Sequence, residues 1–296
     1  PWRPANNIND VVLPEPPPYV GDKRIFLADA FYDESNSSLR ALHRTYIRQC
    51  LNNFVGRTNV IQLTSGEYTG PLSFVQFWID TIIAWEQETG NDVLMALSCT
   101  KDVQDAILDD PDRSPHVDVI DIRYWTYAED GSLYAPPGGR HLSPRQHLRQ
   151  SRPASTSFAS VLRSVREYRL KFPDKPVFYN AHIHCRAKRE GWAILIGGGS
   201  MPNVPQLPAQ LAAALVGMQP VDGNAFEEGR WTLASDRERL IYLQGERSMP
   251  IQLPADRDWE WCAVDPKSGH AGAFRSAVRG AITVEADDEL IWARSR

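Results

Sequence analysis

The sequence predicts an α/β chain that ends in a separate all-β module. Three observations carry this. Strand-like apolar runs alternate with amphipathic helices from about residue 39 to residue 218. Helical periodicity disappears after Asp222. From Arg230 onward only short strand-like runs remain, parted by turn text such as Asp265-Pro266-Lys267-Ser268-Gly269. Strands separated by helices of ten or more residues imply a parallel sheet with right-handed crossovers. The expected division is therefore 1–222 and 223–296.

Residues 1–22 are rich in Pro and Asn and lack any period, so they read as a long surface loop. They carry no signal-peptide pattern and begin with Pro rather than Met, which reads as a fragment or a processed piece. Arg24 to Phe31 is a short apolar run that fits a strand or a helical turn equally. A Ser-rich cap at 35–38 then opens a helix whose Leu39, Leu42, Tyr46, Ile47, Cys50, Leu51 and Phe54 recur at three- and four-residue spacing. Strands are expected over Asn59 to Glu67, Asp92 to Thr100, Val117 to Trp125 and Pro176 to His184. Helices are expected over Leu72 to Glu88, Asp102 to Leu108, Phe158 to Phe172, Arg189 to Gly197 and Pro208 to Met218. The glycine run 197–199 follows helical text and lacks the Lys-Ser/Thr of a phosphate loop, so it reads as a tight return.

Composition excludes several classes of function. The 296 residues are 42% hydrophobic, 10% aromatic and 23% charged, which is ordinary for a globular chain and foreign to a disordered or coiled-coil one. Length suits about two domains or one large α/β barrel. A net charge of −5 supplies no electrostatic footprint for nucleic acid or an anionic membrane. No apolar run is long enough to span a bilayer. The four cysteines are far apart and lack metal spacing, so they read as buried thiols.

In a (β/α)₈ barrel, chemistry belongs at the carboxyl ends of the strands. All four expected strands end polar, and period-two alternation sorts the candidates. Leu63, Ser65 and Glu67 share one face; Asp121, Arg123 and Trp125 share another; Phe178, Asn180, His182 and His184 a third. Carboxylates, a guanidinium, imidazoles, an amide and an indole in one mouth suit a polyhydroxylated substrate. Most of the nine tryptophans fall on helical apolar faces or in the β module, which leaves Trp125 and Trp2 as substrate platforms. Glu67, at the rim of a buried strand, is the first candidate for general-acid work, with capping of the helix after Pro71 as the alternative. Asp118 reads as structural. His182 and His184, at i and i+2, fit hydrogen bonding to substrate, and a metal-dependent hydrolase with an oxygen ligand from Asp121 or Glu67 is the alternative.

The helix Arg40 to Phe54 followed by Thr58-Asn59-Val60-Ile61-Gln62-Leu63-Thr64-Ser65-Gly66-Glu67-Tyr68 resembles the third helix and fourth strand of clan-A glycoside hydrolases. The module order, with RWTLAS, RLIYLQG, MPIQLPA and WEWCAVDPKSG after residue 229, is similar to apiosidase-like barrels carrying a C-terminal "putative collagen-binding" β-sandwich. The resemblance implies that Glu67 is the acid/base. It also implies barrel strands of about four to eight followed by an antiparallel β-sandwich. The family's nucleophile position falls on Lys175 to His182, which holds no Asp or Glu. The second carboxylate is then expected from Asp121, from the stretch 29–33, or from outside this chain, with an inverting pair wider apart than a retaining one. Strands one to three would lie before Pro1, so another polypeptide or an upstream segment is expected to supply them.

These readings converge on a glycoside hydrolase acting on a plant or microbial polysaccharide, secreted or periplasmic, with no cofactor and no metal. Glu67 is the proton donor and Asp121 the nucleophile or base. Arg123, Trp125, Asn180, His182, His184 and Tyr68 bind the sugar. The rival from another class is a non-catalytic carbohydrate-binding protein of the same fold.

Overall fold

A computed structural model of the chain describes residues 8, 28–64, 68–139, 155–181, 186–221, 229–244, 251–278, 280–284 and 290–296. The chain forms two compact units. The first comprises Pro1–Trp125, Leu133–Arg152 and Asn180–His182, and the second Thr126–Ser132, Pro153–Tyr179 and Ile183–Arg296.

Among the described residues the first unit opens with a short helix, α1 (Ala28–Tyr32), which covers the second half of the apolar run that the sequence leaves open; residues 24–27 of that run lie outside the described residues. The next helix, α2 (Ser37–Asn52), begins where the Ser-rich cap is expected, but Asn36 is the residue that caps it, its side chain accepting the Leu39 N–H. A polar side chain that takes an orphan amide fixes the start of the helix, and the 3.6-residue period then buries Leu39, His43, Ile47 and Leu51. Strand β1 (Ile61–Leu63) leads to α3 (Leu72–Thr89), which stops at Gly90 with φ of 68°, a left-handed conformation that costs glycine nothing. Strand β2 (Leu94–Leu97), helix α4 (Lys101–Leu108) and strand β3 (Val119–Ile122) follow.

The strands of this unit run parallel, with Ile61 beside Leu94, Leu63 beside Ala96, and Leu97 beside Ile120. The Asn180 N–H donates to the Ile122 carbonyl at 2.8 Å, so a further segment of the unit continues the ladder past β3. Among the described residues the parallel strands make an open sheet and not a closed barrel. Each strand is shorter than its apolar text suggests. The reason is visible at β2, where the Ser98 N–H turns to the Thr64 hydroxyl oxygen instead of a neighbouring strand's carbonyl. Asp118 is structural, as expected, and its carboxylate accepts the Met95 N–H at 2.7 Å.

In the second unit, β4 (Thr126–Tyr127) is followed by α5 (Phe158–Lys171), which starts in a reciprocal Ser157/Ser160 capping box. Strand β6 (Val177–Tyr179), after the short β5 (Leu133–Tyr134) of the first unit, precedes α6 (Glu190–Ile196) and α7 (Ala209–Leu215). The remainder is antiparallel: β7 (Gln219–Pro220), β8 (Arg230–Ala234), β9 (Glu238–Leu243), β10 (Ile251–Gln252), β11 (Trp259–Ala263), β12 (Arg275–Ser276), β13 (Ala281–Ile282) and β14 (Leu290–Ser295). Six of these form one sheet in the order β12-β11-β14-β9-β8-β7, while β10 and β13 pair separately.

Alternation along the six-stranded sheet fills both of its faces. Ile241, Leu243, Trp259, Trp261 and Ile291 join Ile251, Leu253 and Ile282 in one core cluster. On the other face Tyr242 stacks on Phe158 of α5, with ring centroids 3.9 Å apart and planes within 9°. The Trp192 indole N–H of α6 donates to the Pro266 carbonyl at 2.8 Å and ties helix to turn. The fold is thus mixed α/β, with a parallel sheet and separate antiparallel sheets.

Candidate functional site

The carboxyl ends of the parallel strands in the first unit hold a buried polar cluster. Asp121, on β3, is 1% exposed. One carboxylate oxygen accepts the Arg123 Nε–H at 3.0 Å, and the other accepts an Asn180 Nδ2–H at 2.6 Å. Burying a carboxylate is costly unless it is paired and hydrogen-bonded, and here it is both. Three residues that the sequence assigns to the site therefore come together: Asp121, Arg123 and Asn180.

Trp125 belongs to the same cluster but does not sit as a platform. It is fully buried, its indole N–H donates to Gln104 Oε1 at 2.9 Å, and the Lys101 ammonium lies 4.5 Å from its ring centre. Alternation would keep it on the face of Asp121 and Arg123, but β3 ends at Ile122, and beyond that point the period of two no longer applies. Tyr68 also departs from the expected sugar contact. Its hydroxyl donates to the Pro71 carbonyl at 2.5 Å, and its ring packs among Tyr32 and Phe74. Burial pushes that phenol well above its ordinary range, so it stays protonated. Glu67, His182 and His184, as well as Trp2, lie outside the described residues.

Asp121 is also not placed as a free nucleophile. Both of its oxygens are engaged and the side chain is screened from solvent, whereas an attacking carboxylate must present an open oxygen about 3 Å from the reacting carbon. Its geometry is that of an anchor: it fixes one guanidinium and one carboxamide.

The sequence reading misses Gln104. This fully buried residue of α4 donates through Nε2 to the carbonyls of Leu97 (2.9 Å) and Asp121 (3.0 Å) and accepts from Trp125. The signal is legible in retrospect as one amide on the helix face that carries Val103, Ile107 and Leu108. Ser98 Oγ and Thr100 Oγ1 are buried at the end of β2 without hydrogen-bond partners. The strap at Gly138 and Gly139 closes over this end. The Gly138 N–H reaches the Asp102 carboxylate at 2.8 Å, the Gly139 N–H reaches the Thr69 carbonyl at 2.8 Å, and a Cβ on Gly138 would come within 2.9 Å of the Thr100 hydroxyl. Cys99, between the two hydroxyl residues, is held as a neutral thiol, first by burial and then by the charges of Asp102, Asp105 and Asp121. Among the described residues no group of three or more His, Cys, Asp or Glu side chains is placed to hold a metal ion.

The cluster thus offers a fixed guanidinium, a fixed amide and a buried carboxylate at the tips of parallel strands, the place where α/β folds put ligands. The fold is similar to that of a crystal structure of a glycoside hydrolase family 5 protein from Bacteroides vulgatus ATCC 8482. The two share 10% sequence identity at a TM-score of 0.50, over 87% of this chain and 68% of that one. At that identity the likeness concerns the fold alone. The chain itself belongs to the family described as Domain of unknown function (DUF6298), whose model matches residues 1–218. No curated protein matches the sequence.

Proposed function

We propose that this chain is part of a glycoside hydrolase that cleaves a plant or microbial polysaccharide or oligosaccharide by carboxylate acid/base catalysis. The observation that supports it is the Asp121–Arg123–Asn180 constellation at the carboxyl ends of parallel strands, in a fold similar to that of a glycosidase. In this reading Glu67, four residues past the end of β1, donates the proton to the leaving oxygen. Arg123, Asn180, His182 and His184 hold the sugar, while Asp121 fixes the first two of these and Trp125 and Tyr68 support the wall beneath; the second carboxylate, which attacks the anomeric carbon or activates water, then comes from the stretch 29–33 or from outside this chain. The finer likeness, to apiosidase-like barrels with a C-terminal β-sandwich, and a secreted or periplasmic location belong to the same proposal.

The partner proposal has its own support. β1 is the edge of the sheet among the described residues, and Ile61, Leu63 and Leu94 there are 36–44% exposed. An unpaired edge with exposed apolar side chains favours further strands from another polypeptide or an upstream segment.

A panel of soluble plant cell-wall glycans, assayed for released reducing sugar with and without a chelator, tests the reading. Chelator-insensitive release is expected. Loss of activity on chelation favours a metal-dependent hydrolase built on His182 and His184, and binding without products favours a non-catalytic carbohydrate-binding protein.

A further inference from the structure

We infer that the strand-tip site takes an acidic glycan and that Arg123 recognises the carboxylate of a uronic acid residue. The inference rests on the carbohydrate reading above and adds to it the charge of the sugar.

Arginine carries five N–H donors. Arg123 spends the one on Nε on Asp121, and neither Nη1 nor Nη2 has an acceptor among the described residues. The two partners differ sharply in exposure. The Asp121 side chain is 2% exposed and that of Arg123 is 23%, so Arg123 is the partner that reaches solvent. What lies behind it is rigid. Asn180 holds the second oxygen of Asp121, and Gln104 grips the Asp121 carbonyl while it bridges to Leu97 and Trp125. Asp121, held in turn by Gln104 and Asn180, orients a cation whose remaining donors have no acceptor among the described residues.

A planar Nη1/Nη2 edge presents two parallel N–H vectors, and the two oxygens of a carboxylate match them as no single hydroxyl does. Asp121 does not cancel this attraction. It sits on the Nε side, so an anion on the opposite edge lies closer to the guanidinium than to Asp121. Among the described residues, the two nearby carboxylates of α4 are engaged. Asp105 pairs with Lys101, and Asp102 accepts the N–H groups of Val103 and Gly138.

Isothermal titration of the full chain with glucuronate- and galacturonate-containing oligosaccharides, each beside its methyl ester, tests this. The ester keeps the hydroxyl pattern and removes the charge. We expect one acid form to bind at least about tenfold more tightly than its ester, with the gap narrowing between about 20 mM and about 200 mM salt. Arg123→Lys keeps the charge and loses the fork, so most of the gap should vanish. Because Arg123→Met strands a buried carboxylate, the paired change Asp121→Asn with Arg123→Gln serves as the uncharged control and should abolish the gap. Equal binding of acid and ester, or no binding of either, overturns the inference. Acid-selective binding without products leaves it standing and sinks catalysis instead. Cleavage of neutral glycans with no preference for uronates does the reverse.

Discussion

The strand tips of the first unit and the antiparallel sheet of the second are packed with different chemistry. In the first, the tips of the parallel strands are joined by buried polar groups: Gln104 spans the Leu97 and Asp121 carbonyls, and Asp121 in turn holds Arg123 and Asn180. In the second, the antiparallel sheet is filled on both faces by rings and branched aliphatics, with Tyr242 flat against Phe158 on one side and Trp259 and Trp261 in the cluster on the other. Apolar contacts are non-directional and tolerate replacement by similar volumes. Buried polar networks are directional and lose much more when one member is removed.

The largest effect should come from Asp121→Ala, which leaves a guanidinium and a carboxamide without their acceptor. Breaking a buried pair from one side costs about 3–5 kcal/mol, and peptide-resolved hydrogen exchange under urea should show that loss in the first unit while the second keeps its protection. Equal loosening of both units would erase the contrast.

Acid should sharpen it. His43, packed among Phe31, Phe74 and Phe77, is held down to about pKa 4 by burial and secondarily by the Arg40 charge. In the unfolded chain its pKa is near 6.5, so between those values the unfolded state binds the extra proton. The stabilisation is therefore present above about pH 6.5 and is lost as pH falls towards 4, by an amount on the order of 2–3 kcal/mol. Denaturant melts across that range should show the parent losing stability relative to His43→Phe as the pH drops, the variant giving the flatter curve.

A smaller effect is expected in the second unit. Trp192→Phe keeps the ring and deletes the indole donor to the Pro266 carbonyl, which should cost about 1 kcal/mol by denaturation. A loss several times larger would mean that the aromatic unit depends on directional contacts after all.

Much of this was legible in the sequence where period and composition act locally. The 3.6-residue repeat places α2 and α3, and alternation along one strand brings Asp121 and Arg123 together. Asn180 reaches the same carboxylate from 59 residues away, a contact that follows from strand order rather than from spacing. Three things escaped. The cap of α2 is Asn36, because the choice among adjacent polar residues depends on backbone angles that composition does not encode. Trp125 turns inward, because the ladder ends before it. Gln104 looked like an ordinary polar position on a short helix until two strand carbonyls were seen to converge on it.

The glycosidase proposal depends most on Glu67 performing the proton transfer. The most direct measurement is the rate of reducing-sugar release by Glu67→Gln on a glycan that the parent cleaves, with affinity for that glycan followed by calorimetry. The account predicts a rate lower by about 10²–10⁴-fold at nearly unchanged affinity. A variant that turns over at the parent's rate would contradict it.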